Sequence, residues 1–336
     1  MTKISNILDV AIVGSGTMGT ALAHIAACAG HRCTLLTDDA QVAAGISDTH
    51  CHPVFFQGLS LHPTLRSDTE WAEHLCAADL LIVAVPSYAM RDTAQRIAPA
   101  THAEQAVLSV SKGFEPDTHK PMSEVLHETL PTAHIGALSG PNITLDLIKN
   151  LPTRLVVASA SGIMRERGRL ALSTAQVAIT VSDDRPSFEY ASALKNIVAF
   201  EVGIVTGLGL GDNFRALVMA EGMAEIRGLL AIMGLQAEVF YGLAGLSDIF
   251  LTCSSAFAQN YATGVKLGEG SLLEELVALL HAKGEVAEGV ESVKAGFALA
   301  KQCDYTAPLL AATHKFMYET ADGKRDTADF LAASLM

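Results

Sequence analysis

Val10-Ala11-Ile12-Val13-Gly14-Ser15-Gly16-Thr17-Met18-Gly19 decides the fold. Four apolar residues read as a short buried strand, and Thr20 to Ala29 carries helix-compatible spacing. Between them lies Gly-x-Gly-x-x-Gly, whose glycines have separate tasks. Gly14 permits a tight turn, Gly16 lets backbone approach a pyrophosphate, and Gly19 lets the helix pack on the sheet. The start of that helix offers free N–H groups and a favourable dipole to phosphate. Gly14, Gly16, Thr17, Met18 and Gly19 are therefore the first candidate cofactor contacts.

The second apolar run, Cys33–Leu36, leads into Thr37-Asp38-Asp39. An acid about twenty residues past the fingerprint accepts hydrogen bonds from the adenosine ribose and repels a 2′-phosphate. Asp38 suits that task by position, and Asp39 suits either the same task or the cap of the next helix. NAD (NADH) is thereby favoured over NADP.

Further short apolar runs follow at Leu80–Val85, Val107–Val110, Ile135–Leu138, Leu155–Ala158 and Val177–Val181, separated by amphipathic segments. Continuous apolar runs suit strands covered on both faces of a parallel sheet, with βαβ connections. At Ser182-Asp183-Asp184-Arg185-Pro186 the texture changes. Beyond it, residues 187–206, 213–233, 236–253, 271–281 and 288–301 have helical spacing, with Asp212 or Asn213 capping the second of these. The expected architecture is an α/β Rossmann-type doubly wound sheet in residues 1–185, binding NAD. An all-α substrate and catalytic domain follows in residues 186–336.

Composition narrows the function classes. The 336 residues are half apolar and carry 23 basic against 36 acidic side chains, a net charge of -13. A field of that sign repels polyphosphate, and Lys and Arg are scattered, so nucleic acid is not an expected partner. No run of about 18 apolar residues suggests a membrane span, and the first 14 residues lack signal-peptide features. Six cysteines without Cys-x-x-Cys pairing suit reduced thiols in a cytoplasmic protein. His50-Cys51-His52 alone has too few donors for a closed metal site, so no metal is expected.

Three strand ends carry suggestive chemistry: Val85-Pro86-Ser87, Ser111-Lys112-Gly113 and Ser139-Gly140-Pro141-Asn142. Ligands of open α/β sheets bind beyond such ends. Lys112 there either reaches cofactor or substrate oxygen or snorkels to solvent. Lys195 lies in Ala191–Phe200, a segment apolar nearly all round. A lysine in such a place sheds hydration and needs an acid partner or a wet cleft. Desolvation makes an ammonium a readier proton donor, which suits exchange with a substrate hydroxyl. A structural pair with Glu189 or Glu201 fits the same spacing. Asp248 and Thr252, four apart in an apolar stretch, share a helix face. Asp248 is a natural partner for Lys195, and an N-cap role fits equally.

Taken in order, these segments resemble the soluble glycerol-3-phosphate dehydrogenase family from residue 10 to about 310. The matches are Gly14 to Ala23, Val85-Pro86-Ser87, Lys112-Gly113, Leu138 to Asn142, Ala193-Leu194-Lys195-Asn196, Gly207 to Asn213, Gly242 to Cys253, Asn260, and Val286-Ala287-Glu288-Gly289-Val290. The resemblance implies nicotinamide-linked interconversion of sn-glycerol 3-phosphate and dihydroxyacetone phosphate. It implies Lys195 as proton acceptor, with Lys112 and Asp248 beside it. Gly140, Asn142, Asn196, Thr252, Gln259 and Asn260 fall on the substrate side, and Pro86, Lys112 and Glu288 on the cofactor side. It also suggests a homodimer through the helical domain.

The departures concern the substrate. Family members have Arg before the residue matching Asn260, where this chain has Gln259; Ala258, Glu221 and Thr144 depart as well. A guanidinium matches a phosphate dianion, and a neutral amide brings no charge. The alternatives are a related dehydrogenase for a different short hydroxy/keto substrate, or an NAD-binding regulator without turnover.

Overall fold

The computed structural model describes residues 7–254, 258–282 and 288–318. Two compact units result, one from residues up to Ser111 together with Lys120–Arg185, the other from Lys112–His119 together with residues from Pro186 onward.

In the first unit, eight strands form one sheet: β1 Asp9–Val13, β2 Arg32–Leu36, β3 Arg66–Asp68, β4 Leu80–Val83, β5 Ala106–Ser109, β6 Ile135–Ser139, β7 Thr153–Ala158 and β8 Val177–Ser182. Their order is β3-β2-β1-β4-β5-β6-β7-β8, parallel throughout except for the antiparallel β6–β7 pair. Helices α1 Thr17–Cys28, α2 Ala40–Thr49, α3 Ala72–Ala77, α4 Met90–Ile97, α5 Met122–Thr129, α6 Thr144–Ile148 and α7 Gly162–Leu172 connect them. The apolar runs are explained by a core on each face. Val10, Ile12, Leu80 and Ile82 pack with α1 and α7 on one side. Ala11, Val13, Leu81 and Val83 pack with α3, α4 and α5 on the other. β3 is three residues of Arg-Ser-Asp at the sheet edge, with no apolar run to announce it.

The second unit is helical: α8 Arg185–Gly207, α9 Gly211–Ile232, α10 Leu246–Ser254, α11 Gln259–Gly268, α12 Leu273–Ala282, α13 Glu288–Gln302 and α14 Pro308–Tyr318. α8 is its spine, buried from Ala191 to Val205 without a break. Its apolar perimeter demands partners on all sides, and α11 comes closest. A Cβ on Gly203 would lie 2.3 Å from the Tyr261 carbonyl oxygen, and one on Gly207 2.0 Å from that of Val265. Gly264 and Gly268 answer from α11 with equally little room, so the two backbones meet directly. Phe114, on the segment contributed from between β5 and α5, joins this core and faces Tyr190 at 5.7 Å.

Two helix expectations need correcting. α9 starts at Gly211, and its cap residue Leu210 makes no side-chain cap bond. Asp212 sits in the first turn and bonds Arg215 at 2.8 Å, so neither Asp212 nor Asn213 caps the helix. The expected helix 236–253 is broken into a 3₁₀ turn at Ala237–Tyr241 and α10. Gly245 permits the close turn between them, because a Cβ there would stand 2.0 Å from the Phe240 carbonyl oxygen. No helix among the described residues is long and apolar enough to cross a membrane.

Candidate active site and cofactor cleft

Strand order reverses between β1 and β4, so their carboxyl ends bound the crevice where open α/β sheets take ligands. Gly14 follows β1 with φ +106°, and a Cβ there would strike the Ala84 carbonyl oxygen at 2.5 Å. Gly19 has no room either, lying against the Gly14 carbonyl oxygen. Gly16 is different: a Cβ there would meet nothing within 4 Å. It caps α1, whose first turn, with Thr17 and Met18, carries no acid and no side-chain cap bond. Open space beside unobstructed helix-start donors is the cradle a pyrophosphate needs.

The loop is braced from behind. Buried His52 donates from Nε2 to the Ser15 carbonyl oxygen at 3.0 Å and accepts from the Val54 and Phe55 amides at Nδ1. Burial pushes its pKa below the ordinary histidine value, and the acceptor role at Nδ1 needs the neutral ring. His52 is therefore a strut. Among the described residues no group of His, Cys, Asp and Glu could hold a metal ion.

Asp39 caps α2, accepting from the Gln41 and Val42 amides at 2.8 and 3.3 Å. Asp38 is thereby left to the cleft, where it is two-thirds exposed. Its partner comes from 58 residues away. Arg96, in the last turn of α4, holds both Asp38 oxygens at 2.7 and 2.8 Å and keeps that carboxyl below its usual pKa. Its guanidinium lies 3.6 Å from the ring centre of Trp71, and Trp71 donates from Nε1 to the Thr37 carbonyl oxygen. These residues, with Gly14, Ser15 and Val85, line a cavity of about 670 Å³. Nothing near Asp38 in the chain announces Arg96 or Trp71. Pro86 follows β4 and caps the 3₁₀ turn Ser87–Ala89. Gly140, with φ +109°, and buried Asn142 follow β6, and the Asn142 amide reaches Met18 sulfur at 3.9 Å.

In the helical unit, four predicted residues converge. Lys112 Nζ lies 2.6 Å from Asp248 Oδ2, and Lys195 Nζ lies 3.2 Å from the same oxygen. Lys195 also donates to Thr252 Oγ1 at 3.0 Å, while that hydroxyl donates to the Asp248 carbonyl oxygen at 2.6 Å. Asn196 donates to the Lys112 carbonyl oxygen at 3.0 Å, fixing the backbone that carries Lys112. The helix face seen in the spacing thus brings Asp248 and Thr252 to one ammonium. Asp248 is an ion-pair member rather than an N-cap.

The electrostatics follow from burial. The side chains of Lys195 and Asp248 are 6% and 4% exposed, that of Lys112 15%. Desolvation would raise the Asp248 carboxyl, but the two lysines outweigh it and hold the group below its usual value. Desolvation also lowers the Lys112 ammonium, opposed by Asp248 and reinforced by Lys195. Two ammonium groups on one carboxylate leave one positive charge in a chain whose net charge is -13. Such a cluster suits an anion or an oxygen that gains negative charge during reaction.

The remaining candidates divide. Gln259 is exposed at the start of α11. Asn260 Oδ1 accepts from the Gly289 amide at 2.8 Å, tying α11 to the start of α13. Glu288 is the first residue of α13, while Val286 and Ala287 of the same motif lie outside the described residues.

The family model described as "NAD-dependent glycerol-3-phosphate dehydrogenase N-terminus" matches residues 9–164, and its C-terminal counterpart matches residues 184–326. The chain belongs to the NAD-dependent glycerol-3-phosphate dehydrogenase family. It is thus an NAD(P)-dependent oxidoreductase acting on CH–OH. Glycerol-3-phosphate dehydrogenase [NAD(P)+] of Pseudomonas fluorescens is 36% identical over 314 residues, covering 92% of this chain and 90% of the relative. The enzyme of the same name from Rhodospirillum rubrum is 36% identical over 312 residues, covering 93% and 88%. The crystal structure of glycerol-3-phosphate dehydrogenase from Coxiella burnetii superposes with a TM-score of 0.86 at 26% identity, over 98% of both chains. The yeast enzyme, at 21% identity and a TM-score of 0.82, shares the fold over 98% of this chain.

Proposed function

We propose that this family member interconverts sn-glycerol 3-phosphate and dihydroxyacetone phosphate, with NAD as the preferred cofactor and Lys195 as the proton-transfer group. The observation that carries the reading is the pair of buried lysines sharing Asp248 Oδ2. Bound NADH supplies the hydride. In the reductive direction, Lys195 gives one proton to the substrate oxygen and is left as the neutral amine, to be refilled from solvent. Asp248 stays ionised throughout, holding Lys195 in place as Thr252 holds it from the other side. Lys112 remains an ammonium, so the alkoxide character of the developing product meets a fixed positive charge. A net positive cluster also favours an anionic substrate over a neutral one.

The test is steady-state NADH oxidation with dihydroxyacetone phosphate, dihydroxyacetone and hydroxyacetone. Dihydroxyacetone phosphate is expected to give the highest kcat/KM. A better unphosphorylated ketone would replace the substrate. NADH binding with no turnover of any ketone would favour the regulator.

A further inference from the structure

We infer that Arg96 is a specificity-determining residue of this cleft: by pairing with Asp38 it offsets the repulsion that the acid alone would exert on a 2′-phosphate, and so sets the balance between NADPH and NADH. The inference rests on the dinucleotide reading of this cleft and deepens it.

An aspartate alone at the end of β2 would exclude a 2′-phosphate by repulsion and by offering no donor. Here the acid does not act alone. Arg96 spans both Asp38 oxygens, so that pair carries no net charge, and Asp39, the other acid lining the cavity, is engaged by the Gln41 and Val42 amides at the start of α2. Each carboxylate oxygen keeps a lone-pair direction beyond the fork, so Asp38 can still accept from ribose hydroxyls. The guanidinium uses two of its five N–H groups on Asp38, one on each terminal nitrogen. The others are the right donors for a phosphate, in the planar arrangement that phosphate prefers.

Trp71 makes Arg96 a fixed feature of the cleft. The guanidinium stacks 3.6 Å from the ring centre, and the ring is anchored through Nε1 to the Thr37 carbonyl oxygen, one residue before Asp38. Stacking holds the cation when Asp38 rotates, so a 2′-phosphate arriving there meets a positioned charge. The last turn of α4 adds a further constraint, since its C-terminal dipole favours a cation where Arg96 stands. Selectivity is thus set by the balance of two opposed charges.

The consequences separate by cofactor. NADH contacts Asp38 through hydroxyls and gains little from the guanidinium charge. NADPH needs the guanidinium to offset Asp38. Both partners are half exposed or more, so screening limits the effect. Arg96→Gln is expected to weaken NADPH binding roughly tenfold or more while leaving NADH within about threefold. Arg96→Lys, which keeps charge and loses the fork, should fall between. Asp38→Asn should move the ratio the other way, towards NADPH.

Dissociation constants of NADH and NADPH are measured by nicotinamide fluorescence for the wild type and the three variants, at low and high salt. The expected result is NADPH binding by the wild type within about tenfold of NADH, a gap widened by Arg96→Gln, partly restored by Arg96→Lys, and less sensitive to Arg96 at high salt. An unchanged NADPH:NADH ratio in Arg96→Gln would overturn the role of Arg96. So would equal weakening of both cofactors, which would make Arg96 a wall of the cleft. Failure of the wild type to bind either cofactor would overturn the dinucleotide reading and the inference with it.

Discussion

Lys195→Ala is expected to lower kcat for dihydroxyacetone phosphate reduction by about 10² or more while NADH affinity stays within a few-fold. The size follows from losing the proton donor at a buried site where water is a poor substitute. The fold should survive, because Asp248 keeps Lys112 at 2.6 Å and is not left an unpaired buried charge. Thr252 loses its donor but still bonds the Asp248 carbonyl oxygen. Stopped-flow turnover and fluorescence titration of NADH on the same preparation separate chemistry from binding. Turnover within about threefold of the wild type would reduce Lys195 to a structural ion pair.

Gln259→Arg is expected to lower KM for dihydroxyacetone phosphate roughly tenfold to hundredfold, the worth of a charge-assisted contact. Gln259 is exposed in the first turn of α11, so an arginine fits without disturbing the core. On the proposed function, a neutral amide at this position would offer a phosphate hydrogen bonds without charge, and the gain from arginine should be largest at low ionic strength. If the natural substrate lacks phosphate, the variant should instead harm the better ketone's activity. A wild-type KM already in the micromolar range and unimproved by the substitution would contradict the argument. Lys266, exposed in the last turn of α11, or Lys112 would then serve the phosphate.

What the chain revealed depended on whether the physics was local. Gly14, Gly16 and Gly19 act within one strand–turn–helix, and their spacing carries the whole argument. Asp248 and Thr252 were visible as polar residues on one face of an apolar helix, and a buried Lys195 required such a partner. Arg96 was not visible, because an arginine at the end of a surface helix looks like any other until the sheet brings α4 beside β2's end. The bond from the Gly289 amide to the Asn260 carboxamide oxygen is a contact between helices with no trace in either segment. The 112–119 segment joined the helical unit for a similar reason, as Phe114 finds its core there. β3 was too short and too polar to leave a pattern.

On the proposed mechanism, a hydride and the Lys195 proton are delivered to one carbonyl. Its most direct test is to reduce dihydroxyacetone phosphate with NADH deuterated at the transferring C4 position and examine the product by mass spectrometry and NMR. The expected product from the wild type is sn-glycerol 3-phosphate with a single deuterium on C2, with at least ~100-fold slower label transfer from Lys195→Ala. Unlabelled product, or label transfer at an undiminished rate in the variant, would contradict it.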